Sequence, residues 1–442
     1  MSRSKKWLAA FLAGVMAVSL MGCGSPAGKE GQGTEADSES VTGDGDTAMG
    51  RYMESSQTLD IGKVTDVVKL TDGRLELLED GAEGRYISSD GGVTWEADIL
   101  PFWYDLVMES YILDMKGAPD GSVAVLSRRY GAPVGEEETD EEENVGEEVE
   151  EEVAEDGKSE NVCELLLFSP EGEEKRFSLP DPEGYTLSVL CFSEDGERLF
   201  LGTRDEEIYE IDRETGEKRL FMQIDISPDV FCVWEHYLAA KDEQDGVFLY
   251  DLDTREKIED EVLSDFVAQN YKRDDNVVAS TYTIFPAEDG GIYLAGAKGL
   301  HRHVIGGAVM EQVINGGLCG LSDPSNPVAV MMRTKDDGFM AVYSEGKISS
   351  FTYDPDMPST PSQTLVAYSL TESDILRQAI TRYQEVNPDV YVEYRVGLSE
   401  EGGATKEDAI KKLNTEIMAG KGLIYWFWTA CPQNPTRRRA CF

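Results

Sequence analysis

From about residue 55 to residue 355 the apolar positions fall in short runs, with almost no helical spacing, and one phrase recurs. An acidic residue and a glycine precede a brief apolar strand. Asp72-Gly73 leads into Leu75-Glu76-Leu77, Asp120-Gly121 into Val123-Ala124-Val125, and Asp195-Gly196 into Leu199-Phe200-Leu201. Asp289-Gly290 leads into Ile292-Tyr293-Leu294, and Asp337-Gly338 into Phe339-Met340-Ala341. Asp-Gly supplies the positive φ of tight hairpin turns, and the flanking runs are β-branched and aromatic. Further strands follow each hairpin, such as Ile208-Tyr209-Glu210-Ile211 and Val247-Phe248-Leu249-Tyr250. Units of four short strands start near 62, 110, 186, 229, 280 and 326, about 43 to 51 residues apart except for the interval that holds the acidic insertion, a repeat of the kind that marks propeller blades. The expectation is a mainly β chain built as a six- or seven-bladed β-propeller over 55–355, with Gln57 to Ile61 available to close the ring.

The texture changes after Pro355. Residues 356–363 form a Pro/Ser/Thr linker, and Thr364 to Leu370 follow as a strand. Thr371 or Ser373 can cap a helix whose apolar positions Ile375, Leu376, Ala379, Ile380 and Tyr383 keep helical spacing, and Asn387-Pro388 stops it. Val390, Val392, Tyr394 and Val396 alternate as a strand. A second helix opens at Thr405 with Asp408 as capping-box partner and buries Ile410, Leu413 and Ile417. This βαβα order over 364–422 is the start of a mostly parallel sheet. The strand Leu365-Val366-Ala367-Tyr368-Ser369, the helix end Tyr383 to Val390 and the run Leu413 to Gly420 together resemble the N-terminal segment of family 1 extracellular solute-binding proteins. That resemblance covers about 60 residues. It implies an incomplete, periplasmic-binding-protein-like α/β fragment. Intact relatives would close two lobes on a solute and deliver it to an ABC importer permease.

The two ends carry different signals. Arg3, Lys5 and Lys6 precede an uncharged apolar stretch from Trp7 to Met21, a secretory signal too short to span a bilayer as a helix. The sequence Leu20-Met21-Gly22-Cys23 resembles a bacterial lipobox. The resemblance implies removal of residues 1–22 and lipidation of Cys23, with the chain held at the outer face of the cell membrane by several acyl chains. Residues 23–54 are small and polar and are expected to be a flexible tether. At the other end, 423–442 reads L-I-Y-W-F-W-T-A-C-P-Q-N-P-T-R-R-R-A-C-F, basic and aromatic where the preceding chain is acidic. Back-translation with one cytosine restored before Leu423 can read P-D-I-L-V-L-D-G-L-P-A-E-S-Y-A-E-K-G-V-L, which supplies a third buried strand and continues the family pattern. The tail is therefore expected to be frameshifted, and the α/β fragment truncated, unable to bind solute alone and prone to fray after about residue 364.

Composition narrows the partners. A formal charge of −46 on 442 residues argues against nucleic acid and anionic lipid surfaces. Much of the acid sits in the insertion 135–158, a solvated loop without the D-x-D-x-D-G spacing of a calcium site. The seven cysteines show no C-x-x-C pair, so structural zinc is not expected, and Cys163, Cys191 and Cys232 sit in apolar runs as buried thiols. His301 and His303 would share a strand face, but no third ligand accompanies them. They are expected to be surface residues rather than a metal site.

One motif remains. Ser88-x-Asp90-x-Gly92-x-Thr94-Trp95 resembles the Asp-box hairpin of sialidase-like propellers. In that family the box is structural, so Ser88, Asp90, Gly92, Thr94 and Trp95 are expected to shape a turn rather than act on substrate. A sialidase site would also need an arginine cluster, a tyrosine nucleophile and an acid. Arg128 and Arg129 point to opposite faces of a strand, so no catalytic residue and no cofactor is expected. The function expected first is a surface lipoprotein related to importer binding proteins. The second is a propeller module binding a protein or glycan at the cell surface, and the weakest is a sialidase-like glycosidase.

Overall fold

The computed structural model describes residues 48–81, 83–100, 103–129, 163–179, 187–242, 246–271, 282–335, 337–344, 346–371, 373–398, 405–418 and 425–427. The signal segment, Cys23, the tether up to residue 47, the acidic insertion and the tail other than 425–427 lie outside the described residues.

Six four-stranded antiparallel sheets form a six-bladed propeller. Blade 1 contains β2 (Val64–Lys69), β3 (Leu75–Glu79), β4 (Arg85–Ser88) and β5 (Glu96–Ala97). Blade 2 contains β6 (Ser110–Gly117), β7 (Val123–Arg129), β8 (Cys163–Phe168) and β9 (Glu174–Leu179). Blade 3 contains β10 (Leu187–Phe192), β11 (Leu199–Thr203), β12 (Glu207–Ile211) and β13 (Lys218–Gln223). Blade 4 contains β14 (Val230–Trp234), β15 (Tyr237–Asp242), β16 (Gly246–Asp251) and β17 (Lys257–Ile258). Blade 5 contains β18 (Tyr282–Ala287), β19 (Gly291–Gly296), β20 (Gly299–Val304) and β21 (Met310–Asn315). Blade 6 contains β22 (Val328–Arg333), β23 (Phe339–Tyr343) and β24 (Lys347–Pro358). Its outermost strand is β1 (Met49–Thr58), from the other end of the chain.

That pairing closes the ring. β1 runs antiparallel to β24 from Thr58 opposite Lys347 to Met49 opposite Pro358. The closing strand therefore begins earlier than Gln57, inside the segment read as tether, and β24 extends into the segment read as linker. The expectation of six or seven blades resolves to six because β1 completes the sixth sheet rather than adding another.

The second strand of each blade runs through the buried core. Leu77, Val125, Leu201, Ala240, Leu294 and Ala341 each have no exposed surface. Neighbouring blades share their faces. Phe200, Ile208 and Phe221 of blade 3 pack with Phe231, Leu238 and Tyr250 of blade 4. Burial of one such side chain is worth about 1.5–3 kcal/mol, so the faces between blades carry much of the ring's cohesion. The hairpin turns behave as Asp-Gly chemistry dictates. In blade 5 both Asp289 (φ 60°) and Gly290 (φ 68°) are left-handed, a combination that only Asn, Asp or Gly enters readily.

Among the described residues two α-helices interrupt the β pattern between residues 55 and 355. α1 (Trp103–Glu109) lies between blades 1 and 2, and α2 (Glu261–Asn270) between blades 4 and 5. Both are short, and α2 depends on its cap: Asp260 accepts a hydrogen bond from Leu263 N. Its buried residues Leu263, Val267 and Tyr271 are spaced by four, a signal too brief to stand out among strands.

Beyond blade 6 lies a small parallel unit. β25 (Gln363–Ser369), α3 (Asp374–Val386), β26 (Val390–Val396), α4 (Lys406–Met418) and β27 (Tyr425–Phe427) follow one another. The strands lie in the order β26-β25-β27, all parallel. Ser373 caps α3 by accepting from Leu376 N, and Thr405 accepts from Asp408 N at the start of α4. The apolar stripe of α3 is not a core stripe. Ile375 is 75% exposed and Tyr383 40%, whereas the buried residues are Thr381 and Gln384.

Candidate functional site

The inner strands β2, β6, β10, β14, β18 and β22 adjoin one another in turn around the axis. Blades 1 and 2 place a charged group there. Asp114 Oδ2 accepts from Leu190 N at 2.7 Å, which ties β6 to β10, and Asp66 Oδ2 accepts from Gly117 N at 3.0 Å, which ties β2 to β6. Lys116 Nζ lies 3.6 Å from Asp114 Oδ1 and donates to Thr65 O at 2.9 Å. Burial raises the Asp114 pKa against the opposing pull of Lys116. Burial also pulls the Lys116 ammonium down, but Asp114 and Asp66 outweigh it and the net shift is upward. Each of these three side chains has a partner, so the group clasps three blades together.

Glu76, on β3, faces the same joint. It is 1% exposed, and one of its carboxylate oxygens, Oε2, has no hydrogen-bond partner among the described residues. Gly117 of blade 2 makes room for it, because a methyl at that position would meet the carboxylate at 2.6 Å. Burial pushes the Glu76 pKa up to about 8, against Arg85, whose Nη1 stands 3.7 Å away.

His301 and His303 are not surface residues. They are 6% and 0% exposed, because β20 is packed on both sides. His303 Nε2 meets Asp260 Oδ2 at 2.7 Å and Nδ1 meets Val309 O at 3.0 Å, while Gly306 N donates to the same Asp260 oxygen at 2.8 Å. Hydrogen bonds from Leu263 N, Gly306 N and His303 overcome desolvation and lower the Asp260 pKa. The pair fastens α2 to blade 5. Among the described residues no group of three or more His, Cys, Asp or Glu could hold a metal ion.

The turn motif of blade 1 lies between β4 and β5. Ser88 Oγ donates to Asp90 Oδ1 at 2.8 Å and accepts from Gly92 N at 2.8 Å. Asp90 also accepts from Thr94 N and Val93 N, and its Oδ2 accepts from Thr94 Oγ1 at 2.6 Å. Those bonds, led by the Thr94 hydroxyl, hold the Asp90 pKa down at about 2. Gly92 has φ 94°, and Trp95 Nε1 donates to Gly92 O at 3.1 Å while its ring packs on the core of blades 1 and 6. The motif's side chains bond within the turn, and Gly92 O also accepts from Gln57 Nε2 of β1.

Arg129 pairs with Glu164 at 3.1 Å on the neighbouring strand, and Arg176 of β9 meets the same carboxylate oxygen at 3.4 Å, so both guanidinium groups are engaged by one acid. Cys163, Cys191, Cys232 and Cys319 form no disulfide among the described residues. Burial pushes Cys191 up to about 12 and raises Cys232 and Cys319, which disfavours the thiolate at these three.

Two further features of the described residues bear on recognition. On α1, Trp103 and Leu106 face inward, leaving Tyr104 and Met108 70% and 65% exposed one turn apart, with Tyr111 just beyond at 59%. The parallel unit meets blade 6 through polar contacts. Gln384 donates to Gly317 O in the β21–β22 connection and accepts from Val392 N at 2.5 Å, so it bridges ring and sheet. Gln378 Nε2 donates to Ser325 Oγ at 2.7 Å, and Lys347 Nζ stands 2.6 Å from Glu385 Oε1 and 3.4 Å from Glu54 Oε1. Sequence reading missed α1, α2 and this docking, since each depends on long-range contacts.

The fold and these clasps define a six-bladed β-propeller protein with an appended parallel α/β unit. Among solved structures, a catalytically inactive virginiamycin B lyase from Staphylococcus aureus with quinupristin is 11% identical, with a TM-score of 0.41 over 68% of this chain and 99% of that one. A streptogramin B lyase structure is 10% identical, with a TM-score of 0.41 over 69% of this chain and 98% of that one. No family model matches the chain. No curated protein matches it either.

Proposed function

We propose that this chain is a surface lipoprotein, anchored through Cys23, whose propeller is an interaction module for a protein partner. The supporting observation is the apolar face of α1: Tyr104 and Met108 stand open to solvent on a closed ring. Aromatic and methionine side chains displayed on a rigid support are what a protein partner buries. The test places a photo-crosslinking residue at Tyr104 of the full chain in cells. A discrete crosslinked partner is expected, and a remote exposed position, Arg219 on the outer strand of blade 3, serves as control. Equal yields at both positions would sink the reading. Anchoring is tested by incorporation of a labelled fatty acid, which Cys23→Ser abolishes.

A second reading, kinship of the α/β unit to family 1 solute-binding proteins, draws support from the parallel order β26-β25-β27 with a helix in each connection. On that reading the unit corresponds to the first part of one lobe, and an intact relative would pass its solute to an importer permease. Sequencing across codon 423 tests the frameshift. Solute-induced stabilisation of the frame-restored chain tests the kinship.

A further inference from the structure

We propose that the cleft between α2, the outer half of blade 4 and the start of blade 5 binds a small, uncharged, ring-bearing molecule that carries a hydrogen-bond acceptor. The cleft has a volume of about 300 Å³. That is about twice the ~150 Å³ cavity that takes up benzene in a protein core. Leu249, Leu263 and Val267 form its apolar floor, with Phe248 beside them. Tyr282, the first residue of β18, closes one side and stacks on Tyr271 at 4.5 Å between ring centres.

Tyr282 supplies the polar element. Its side chain is 6% exposed, and its hydroxyl has no hydrogen-bond partner among the described residues. Burial, with Asp242 nearby, pushes its pKa well above the usual phenol range, so the group is an O–H donor at any physiological pH. Buried hydroxyls are nearly always partnered, and the Tyr271 hydroxyl, which also lines the cleft, is likewise without a partner among the described residues, so unpartnered donors beside the apolar floor call for an acceptor on whatever enters.

Charge sets the sign of the ligand. Asp242, Glu259 and Asp260 line the cleft against one ammonium, Lys257. Lys257 is already engaged, 3.3 Å from Asp225 and 4.4 Å from the centre of the Phe248 ring. Asp260 is spent on Leu263 N, Gly306 N and His303. An anion would therefore enter a field of three carboxylates, with Lys257 already engaged and Lys241 held 4.9 Å from the centre of the Tyr282 ring. The same Asp260–His303 pair holds α2 in place, so the cleft is formed before anything binds.

Saturation-transfer NMR on the full chain tests this with benzamide, whose carbonyl offers the acceptor, and with benzoate, its anionic counterpart. Benzamide is expected to saturate below about 10 mM, the weakest affinity typical of a ligand of its size, and benzoate is expected not to bind in that range. Tyr282→Phe should weaken benzamide by about fivefold while raising the melting temperature by roughly a few degrees, because it removes an unpartnered buried hydroxyl. Val267→Trp should fill the cleft and abolish binding with the circular dichroism spectrum retained. No benzamide binding in the wild type, equal binding of benzoate, or unchanged affinity in Tyr282→Phe would each overturn the proposal.

Discussion

At the scale of single residues, the informative side chains are those whose charge is set by burial, and Glu76 is the sharpest case. Its folded pKa is raised to about 8, whereas an unfolded glutamate titrates near 4.5. The folded protein thus holds a proton that the unfolded chain has lost across that interval. The stability linked to this proton is fully present below pH ~4.5 and drains away as pH rises through about 8. Glu76→Gln keeps the shape of the protonated form and cannot ionise. Its melting temperature should match the wild type at pH 4.5 and exceed it at pH 8.5, by an amount on the order of a few kcal/mol in unfolding free energy. Thermal unfolding at both pH values measures this, and parallel wild-type and variant profiles would contradict it. Nothing in the sequence around Leu75-Glu76-Leu77 announces the effect, since a lone glutamate on a hairpin strand usually faces water. The turn from Ser88 to Trp95 lies at the opposite extreme, because its bonds run between residues at most four apart.

Elements differ in legibility for the same reason. Strands and Asp-Gly turns can be read because alternation and positive φ are local properties. Even blade 4, whose first turn uses Glu235 (φ 44°) and His236 in place of Asp-Gly, keeps its strand spacing. Helix α3 shows where pattern misleads: its spacing is helical, yet its partners are polar. Thr381 meets Ser322 at 3.3 Å and Gln384 bridges to Gly317, so the face that docks is not the face a hydrophobic count selects. The buried apolar residues of the whole unit are Ala367, Tyr368, Val392, Ala409 and Leu413, among those described. So small a core leaves the unit dependent on its contact with the ring. Gln384→Ala should release it. Limited trypsinolysis is expected to cut the variant within 363–418 several times faster than the wild type while the propeller survives. Ile375→Lys, at an exposed site, should leave the ring contact intact. Equal cleavage of Gln384→Ala and wild type would show that the docking does not protect the unit.

For the whole molecule the decisive event joins the two ends of the propeller. Six repeated sheets can be inferred from turn spacing, but which strand completes the last one is a matter of closure, and no local pattern specifies it. Glu54 on β1 is bonded to Ser349 Oγ at 2.5 Å on β24 and to Gly320 N at 2.6 Å, while Ser56 meets Ser349 at 2.9 Å. Tyr52 stacks edge-on against Phe339 and Tyr353 at 5.4 Å each. A chain cut after Thr58 would lose all of these and leave β24, a strand of 12 residues, as an open edge. Long unpaired edges recruit other chains, and a ring that cannot close keeps its first and last blades free to part. Such a chain should therefore elute from size-exclusion columns as aggregates and unfold over a broad range, whereas removal of residues 1–47 alone should leave a monomer with one cooperative transition. If both truncated chains behaved alike, the strand from Met49 to Thr58 would be an ornament of blade 6, and ring cohesion would have to come entirely from the apolar faces between blades.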